Sequence, residues 1–139
     1  DMIFFDNVNI LLTPNYHVQK MFMNNQGDFY FEKVITKDEN NKLLAASCVQ
    51  DSKSGDVILK LVNVGTEDTP MKVDLSRFKG LQANAQIEVL KGNADEENTF
   101  GNLQKVTPTK SDYTVKGKFE YQTPAMSLTV IRVKTKNNQ

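Results

Sequence analysis

The chain has 139 residues, with 17 basic and 17 acidic side chains that leave no net charge. That balance argues against a nucleic-acid binder, which carries a basic excess, and against a polybasic membrane anchor. No apolar run approaches the length of a membrane span, and the size suits one domain, or one domain plus a remnant of another, that can bury about 70% of its unfolded surface without a disulfide or metal.

Met2-Ile3-Phe4-Phe5 is a short apolar run ended by Asp6-Asn7 and has the look of a buried strand. There is no charged n-region, so it is not a signal peptide. An apolar run beginning almost at residue 1 suggests a chain cut from something longer. Val8 to Leu12 is again apolar. Thr13-Pro14 then supplies a helix start, with a threonine N-cap and proline at the first helical position. Pro14, Val18 and Phe22 recur at i, i+4 and i+8, with His17 and Met21 beside them, which makes one apolar stripe. The helix is expected to end at Met23 or Asn24, before Asn25-Gln26-Gly27. One strand followed by one helix is half of a βαβ unit.

From Phe29 onward the helical period gives way to two-residue alternation. Phe29–Ile35 is the first such run, and Leu43–Val49 is the second. Asp51-Ser52-Lys53-Ser54 is a polar turn, and the run after it, Val57 to Val64, lies between Gly55 and Gly65. Val57, Leu59 and Leu61 fall on one face of that run. Ile58, Val62 and Val64 fall on the other, with Lys60 among them. A strand apolar on both faces belongs in the middle of a sheet covered on both sides. Met71, Val73 and Leu75 mark a one-faced strand, and Ile87, Val89 and Leu90 another. Gly92 to Pro108 is polar and reads as loop. Tyr113, Val115, Gly117, Phe119 and Tyr121 alternate with polar residues as one long strand. Met126, Leu128 and Val130 carry the last strand, with Ile131 and Val133 on its other face. Seven strands with turn signals between them predict an all-β fold, an antiparallel β-sandwich of jelly-roll-like type.

The chemistry is sparse. His17 is the sole histidine and Cys48 the sole cysteine, so no zinc set and no Ser-His-Asp or Cys-His arrangement can be assembled. His17 reads as a packing residue and Cys48 as a buried, inert thiol. Asp95-Glu96-Glu97 lacks the alternating oxygen-ligand spacing of a calcium loop. Glycoside hydrolysis needs two carboxylates across a pocket, and Glu88 and Glu120 stand where solvent-facing strand residues are expected. Sugar-binding faces present flat aromatic rings. There is no tryptophan, and only Tyr30, Phe100 and Tyr113 depart from the alternation expected of core aromatics. The residues themselves therefore assign no catalytic, cofactor or metal position, and no cofactor.

Ile3-Phe4-Phe5-Asp6-Asn7, then Leu12-Thr13-Pro14-Asn15-Tyr16-His17-Val18-Gln19-Lys20-Met21-Phe22, then Asn25, Gly27 and Asp28, resemble the α-L-arabinofuranosidases. In that family a (β/α)8 barrel is followed by a C-terminal β-sandwich. Ala46-Ser47, Asp56 to Asn63, and Met126 to Ile131 resemble the family's sandwich strands, and the resemblance weakens between Gly65 and Tyr121. It implies that residues 1–27 are the last barrel strand and helix and that residues 28–139 are the sandwich. The parent would remove terminal α-L-arabinofuranosyl residues from arabinose-containing polysaccharides by a retaining mechanism. The family's catalytic glutamates lie on earlier barrel strands, so none carries over. Asp6 and Asn7 would sit at the C-terminal end of a barrel strand, where sites gather. The partners implied are the parent's catalytic barrel and, through it, arabinose-containing glycans, with no nucleic acid and no membrane.

The resemblance also implies that the stripe at Val18 and Phe22 was made for a barrel wall and lacks part of its cover here. It implies too that a sandwich edge lacks a strand supplied by the parent's N-terminus. Homo-oligomerisation through residues 1–24 or through that edge is the expectation; the competing outcome is a helix folded back on the sandwich. A carbohydrate-binding module and a protein–protein interaction sandwich are the alternative roles.

Overall fold

The computed structural model describes residues 16–92 and 107–135. The expected strand at Met2–Phe5, the Thr13-Pro14 helix start, Asp6, Asn7, the acidic run Asp95–Glu97 and Phe100 lie outside the described residues.

One helix, α1 (Tyr16–Met23), precedes nine strands: β1 (Phe29–Phe31), β2 (Ile35–Thr36), β3 (Leu44–Gln50), β4 (Val57–Asn63), β5 (Thr69–Asp74), β6 (Asn84–Lys91), β7 (Thr109–Thr114), β8 (Lys118–Thr123) and β9 (Ser127–Val133). They form a six-stranded sheet in the order β1-β3-β4-β9-β6-β7 and a three-stranded sheet in the order β2-β5-β8. Every pairing is antiparallel. The fold is the expected all-β antiparallel sandwich.

β4 sits inside the larger sheet, between β3 and β9. All seven of its residues are buried, as its two apolar faces require. Leu59 and Leu61 point between the sheets, into a core shared with Met71, Val73, Ile131 and Val133. Ile58 and Val62 point the other way, into a second core with Val49, Leu128 and Val130. Val18 and Met21 of α1 complete that second core. The larger sheet is thus a middle layer, with the small sheet on one side and α1 on the other. Of the stripe expected to lack cover, Val18 is fully buried against this sheet, while Phe22 is only partly buried. Apolar outward residues on β3, β4 and β9 are what make that docking favourable.

The hairpin joining β3 to β4 closes through Gly55, whose φ of 80° suits a residue without a side chain. Its amide donates to the Asp51 carbonyl at 2.7 Å.

Two expected single strands are each split between the sheets. Phe29–Ile35 becomes β1 in the large sheet and β2 in the small one, with Lys33 at φ 65° in the bend. The run from Tyr113 to Tyr121 becomes the end of β7 and most of β8. Its corner is held by the Val115 amide on the Ala83 carbonyl at 2.8 Å and the Leu75 amide on the Gly117 carbonyl at 2.6 Å. A chain that turns around one core keeps pointing alternate residues inward, so two-residue alternation continues straight through the corner.

Candidate functional site

Glu88 lies on β6 opposite Lys110, and its neighbour across β9 is Val130 of the helix-side core. It therefore faces outward on the helix side. Glu120 lies on β8 opposite Lys72. It alternates with Phe119 and Tyr121, which pack into the inter-sheet core, so it faces outward from the small sheet. The two carboxylates are on opposite outer faces with both sheets between them. They cannot flank one glycosidic bond.

The other candidates are also placed. His17 is half-buried on α1, and its ring meets Tyr16 edge-on at 5.4 Å. Cys48 is buried between the sheets, and that burial pushes its thiol up to about 12, so it stays protonated and unreactive at neutral pH. Tyr113 is partly buried and packs at 6.0 Å on Tyr121 and 6.2 Å on Phe119 at the border of the inter-sheet core. Tyr30 is exposed on the edge strand β1. Among the described residues no cluster of three or more His, Cys, Asp or Glu could hold a metal ion. No described helix is long and apolar enough to cross a membrane.

The polar chemistry that the fold does concentrate lies where α1 meets the large sheet. Asp56 is buried just before β4 and accepts from Arg132 Nε at 2.7 Å, with Lys134 Nζ at 3.5 Å. A second ion pair joins Arg132 to Asp51 at 3.7 Å. Arg132 also donates to the Asn25 side-chain oxygen at 3.0 Å and to the Asn24 carbonyl at 3.4 Å. Asn25 in turn donates to the Met21 carbonyl at 2.8 Å, satisfying one of the open carbonyls at the helix end. One guanidinium thus fastens the C-terminus of α1 to β9 and to the β3–β4 turn.

The following residues continue the join. An added side chain at Gly27 would lie 2.8 Å from the Gln50 carbonyl oxygen and 2.8 Å from Val49 Cγ2. Only glycine lets the chain pass that close to β3. The Asp28 carboxylate accepts from the Ser52 amide at 2.8 Å and the Ser52 hydroxyl at 2.5 Å, and those bonds hold it below the usual carboxylate range. Asn25, Gly27 and Asp28 were legible in the sequence only as a string of matching letters. Their shared task is to close the helix and seat the chain on the sheet.

Lys60 is the exception to the polar satisfaction around it. Asn63, the other polar residue of β4, uses both ends of its amide: it donates to the Glu67 and Thr123 carbonyls and accepts from the Gly65 amide. Lys60 is 8% exposed on the helix side. Its nitrogen lies 5.7 Å from the Phe22 ring, and no ion pair or hydrogen bond joins it to the described residues. Burial, with Arg132 nearby as a second cation, lowers its pKa to about 8. Beside it a groove of about 170 Å³ is lined by Asn25, Gln86, Glu88, Lys110, Val130 and Arg132, among others. That is room for a few waters or one small group, and far below the ~300 Å³ or more that a ligand site usually offers.

The fold and this join have relatives among known proteins. The family model of the α-L-arabinofuranosidase C-terminal domain matches residues 1–127. The chain belongs to that family. An arabinose-bound GH51 α-L-arabinofuranosidase (MgGH51) superposes with a TM-score of 0.71 at 31% identity, over 84% of this chain and 18% of that one. The GH51 α-L-arabinofuranosidase of Thermotoga petrophila RKU-1 gives 0.61 at 21% identity, over 86% of this chain and 28% of that one. A family 44 xyloglucanase of Paenibacillus polymyxa gives 0.51 at 13% identity, over 70% and 18%. The last two likenesses show the fold alone. The chain spans less than a third of each of these solved chains. No curated protein matches it.

Proposed function

We propose that this chain is the non-catalytic C-terminal β-sandwich of an enzyme that removes terminal α-L-arabinofuranosyl residues from arabinose-containing polysaccharides. On this reading residues 1–27 are the last strand and helix of its catalytic barrel, and residues 28–139 form the sandwich that packs on that barrel. The chain's contribution is structural. The observation that carries the reading is the family match over residues 1–127. A retaining glycosidase brings its acid/base and nucleophile carboxyl groups within about 5–5.5 Å of each other, and the opposite placement of Glu88 and Glu120 supports a catalytic pair located elsewhere in the parent.

The test is hydrolysis of an aryl α-L-arabinofuranoside by the chain alone and by the chain with its upstream gene sequence restored. The expected result is turnover by the longer protein only. Turnover by the chain alone that is lost on Glu88→Gln or Glu120→Gln would overturn the non-catalytic role. An upstream sequence without a barrel, or a longer protein inert on this substrate, would overturn the assignment to the parent activity.

A further inference from the structure

The turn from β5 to β6 faces the corner between β7 and β8, and a groove of about 370 Å³ lies between them. Its apolar lining is Leu75, Phe78, Leu81 and Val115, and Gln82 and Lys116 give it a polar margin. That volume falls in the ~300–1,000 Å³ range of small-molecule sites, which are mostly apolar with a few placed polar groups. Backbone hydrogen bonds hold the turn in place. The Phe78 amide donates to the Leu75 carbonyl at 3.0 Å, and the Gln82 amide donates to the Lys134 carbonyl at 2.9 Å. The Phe78 ring is half-buried and meets Phe31 edge-on at 4.9 Å. At Gly117, on the corner, an added side chain would meet nothing within 4 Å, so that side of the groove is open.

The charge of the two segments that form this groove is one-sided. Residues 75–87 carry Arg77 and Lys79, residues 113–119 carry Lys116 and Lys118, and neither stretch contains an Asp or a Glu. The carboxylate next to them in sequence, Asp74, is already engaged by the Ser76 amide at 2.9 Å and the Ser76 hydroxyl at 2.6 Å. Lys79 and Lys116 are exposed and have no ion pair among the described residues. In a chain without net charge, four cations gathered at one end of the sandwich attract an anion to that end. We propose that the groove binds a carboxylate-bearing sugar unit of a polysaccharide. The apolar face of the sugar ring packs on Phe78 and the aliphatic lining, as flat rings favour. Its carboxylate is drawn to Lys79 and Lys116 as a charge-assisted partner. The choice of a saccharide rests on the proposed function; the groove and its charge do not. The site gives the sandwich a hold on the acidic units of a polymer whose arabinosyl residues the parent removes.

Titrating the chain with trigalacturonate while following its amide NMR signals tests the site. Saturable shifts are expected at residues 75–83 and 115–117. Arabinotriose, which has no carboxylate, should bind about tenfold more weakly, the worth of one charge-assisted hydrogen bond. Triglutamate, which has the charge without the sugar ring, should also bind about tenfold more weakly, for the lost packing on Phe78. Lys79→Glu together with Lys116→Glu should remove the saturable shifts. Lys42→Glu together with Lys53→Glu changes the net charge equally at exposed positions elsewhere and should leave them intact. Shifts confined to other residues, no shifts, or shifts that survive the first pair of changes would overturn the site. Equal binding of arabinotriose would overturn the role of charge, and equal binding of triglutamate would assign the groove to an acidic peptide and overturn the saccharide. All of this is read on the chain alone, so a failure here leaves the proposed function standing. A longer protein inert on the aryl arabinofuranoside would remove that function and leave the groove to be judged by these shifts alone.

Discussion

Replacing Lys60 with methionine is expected to stabilise the protein, and the gain should depend on pH in one direction. The side chain is buried between α1 and the large sheet with the Phe22 ring 5.7 Å from its nitrogen. Its pKa is lowered from 10.5 to about 8, first by burial and then by the positive charge of Arg132. In the unfolded chain the amine titrates near its ordinary value. Below pH 8 both states hold the proton, and the folded state bears the full cost of a buried charge. Between about 8 and 10.5 the unfolded state binds more protons than the folded one, so stability rises with pH. Above 10.5 both are neutral and the cost is gone. A difference of this size corresponds to about 3 kcal/mol, and the ring offsets about 1 kcal/mol of it while the amine is charged. Methionine has a similar length and no charge to bury. Lys60→Met should therefore gain about 2 kcal/mol at pH 7, and the gain should shrink toward zero by pH 10.5. Urea unfolding of both proteins from pH 6.5 to 10.5 measures the difference, so that tyrosine ionisation common to both cancels. A destabilised variant, or a gain that stays flat across that range, would refute the argument from burial.

Leu61→Ala removes a fully buried side chain from the centre of the inter-sheet core and should cost about 2–5 kcal/mol in urea unfolding; a loss within about 0.5 kcal/mol, the surface range, would contradict the position assigned to β4. Asp56→Ala leaves Arg132 without its 2.7 Å partner and should cost about 3 kcal/mol. Its signature is faster amide hydrogen exchange at residues 21–25, and unchanged exchange there would show that the clamp does not hold the helix. Gly27→Ala places a methyl 2.8 Å from a backbone oxygen and should cost about 1–3 kcal/mol, whereas a neutral result would mean the chain passes β3 less closely.

What the sequence could convey about the fold depended on which physical rule each stretch obeyed. The two-faced apolar run of β4 stated its central, doubly covered position outright, because burial on both sides leaves no other pattern. The strands at Phe29–Ile35 and Tyr113–Tyr121 were found but not their corners, because inward alternation does not register a change of sheet. The helix stripe at Val18 and Met21 was legible, yet what it packs against was not. An amphipathic helix announces that it has a buried face and says nothing about whether a barrel or a sheet receives it.

The clamp was less legible still. Arg132 is separated from Asn25 by 107 positions and from Asp56 by 76, and no local pattern couples residues so far apart. Asn25, Gly27 and Asp28 matched the family more specifically than anything after them, while the strands from Gly65 to Tyr121 matched it weakly. The structure explains the contrast. A sandwich strand needs only a side chain of the right polarity on each face, so many sequences serve. The join needs an amide that bonds the Met21 carbonyl and meets Arg132, a residue without a side chain against Gln50, and a carboxylate for Ser52. Few other residues meet those demands. The specific letters of this chain thus mark the place where a helix is held at a fixed angle to a sheet.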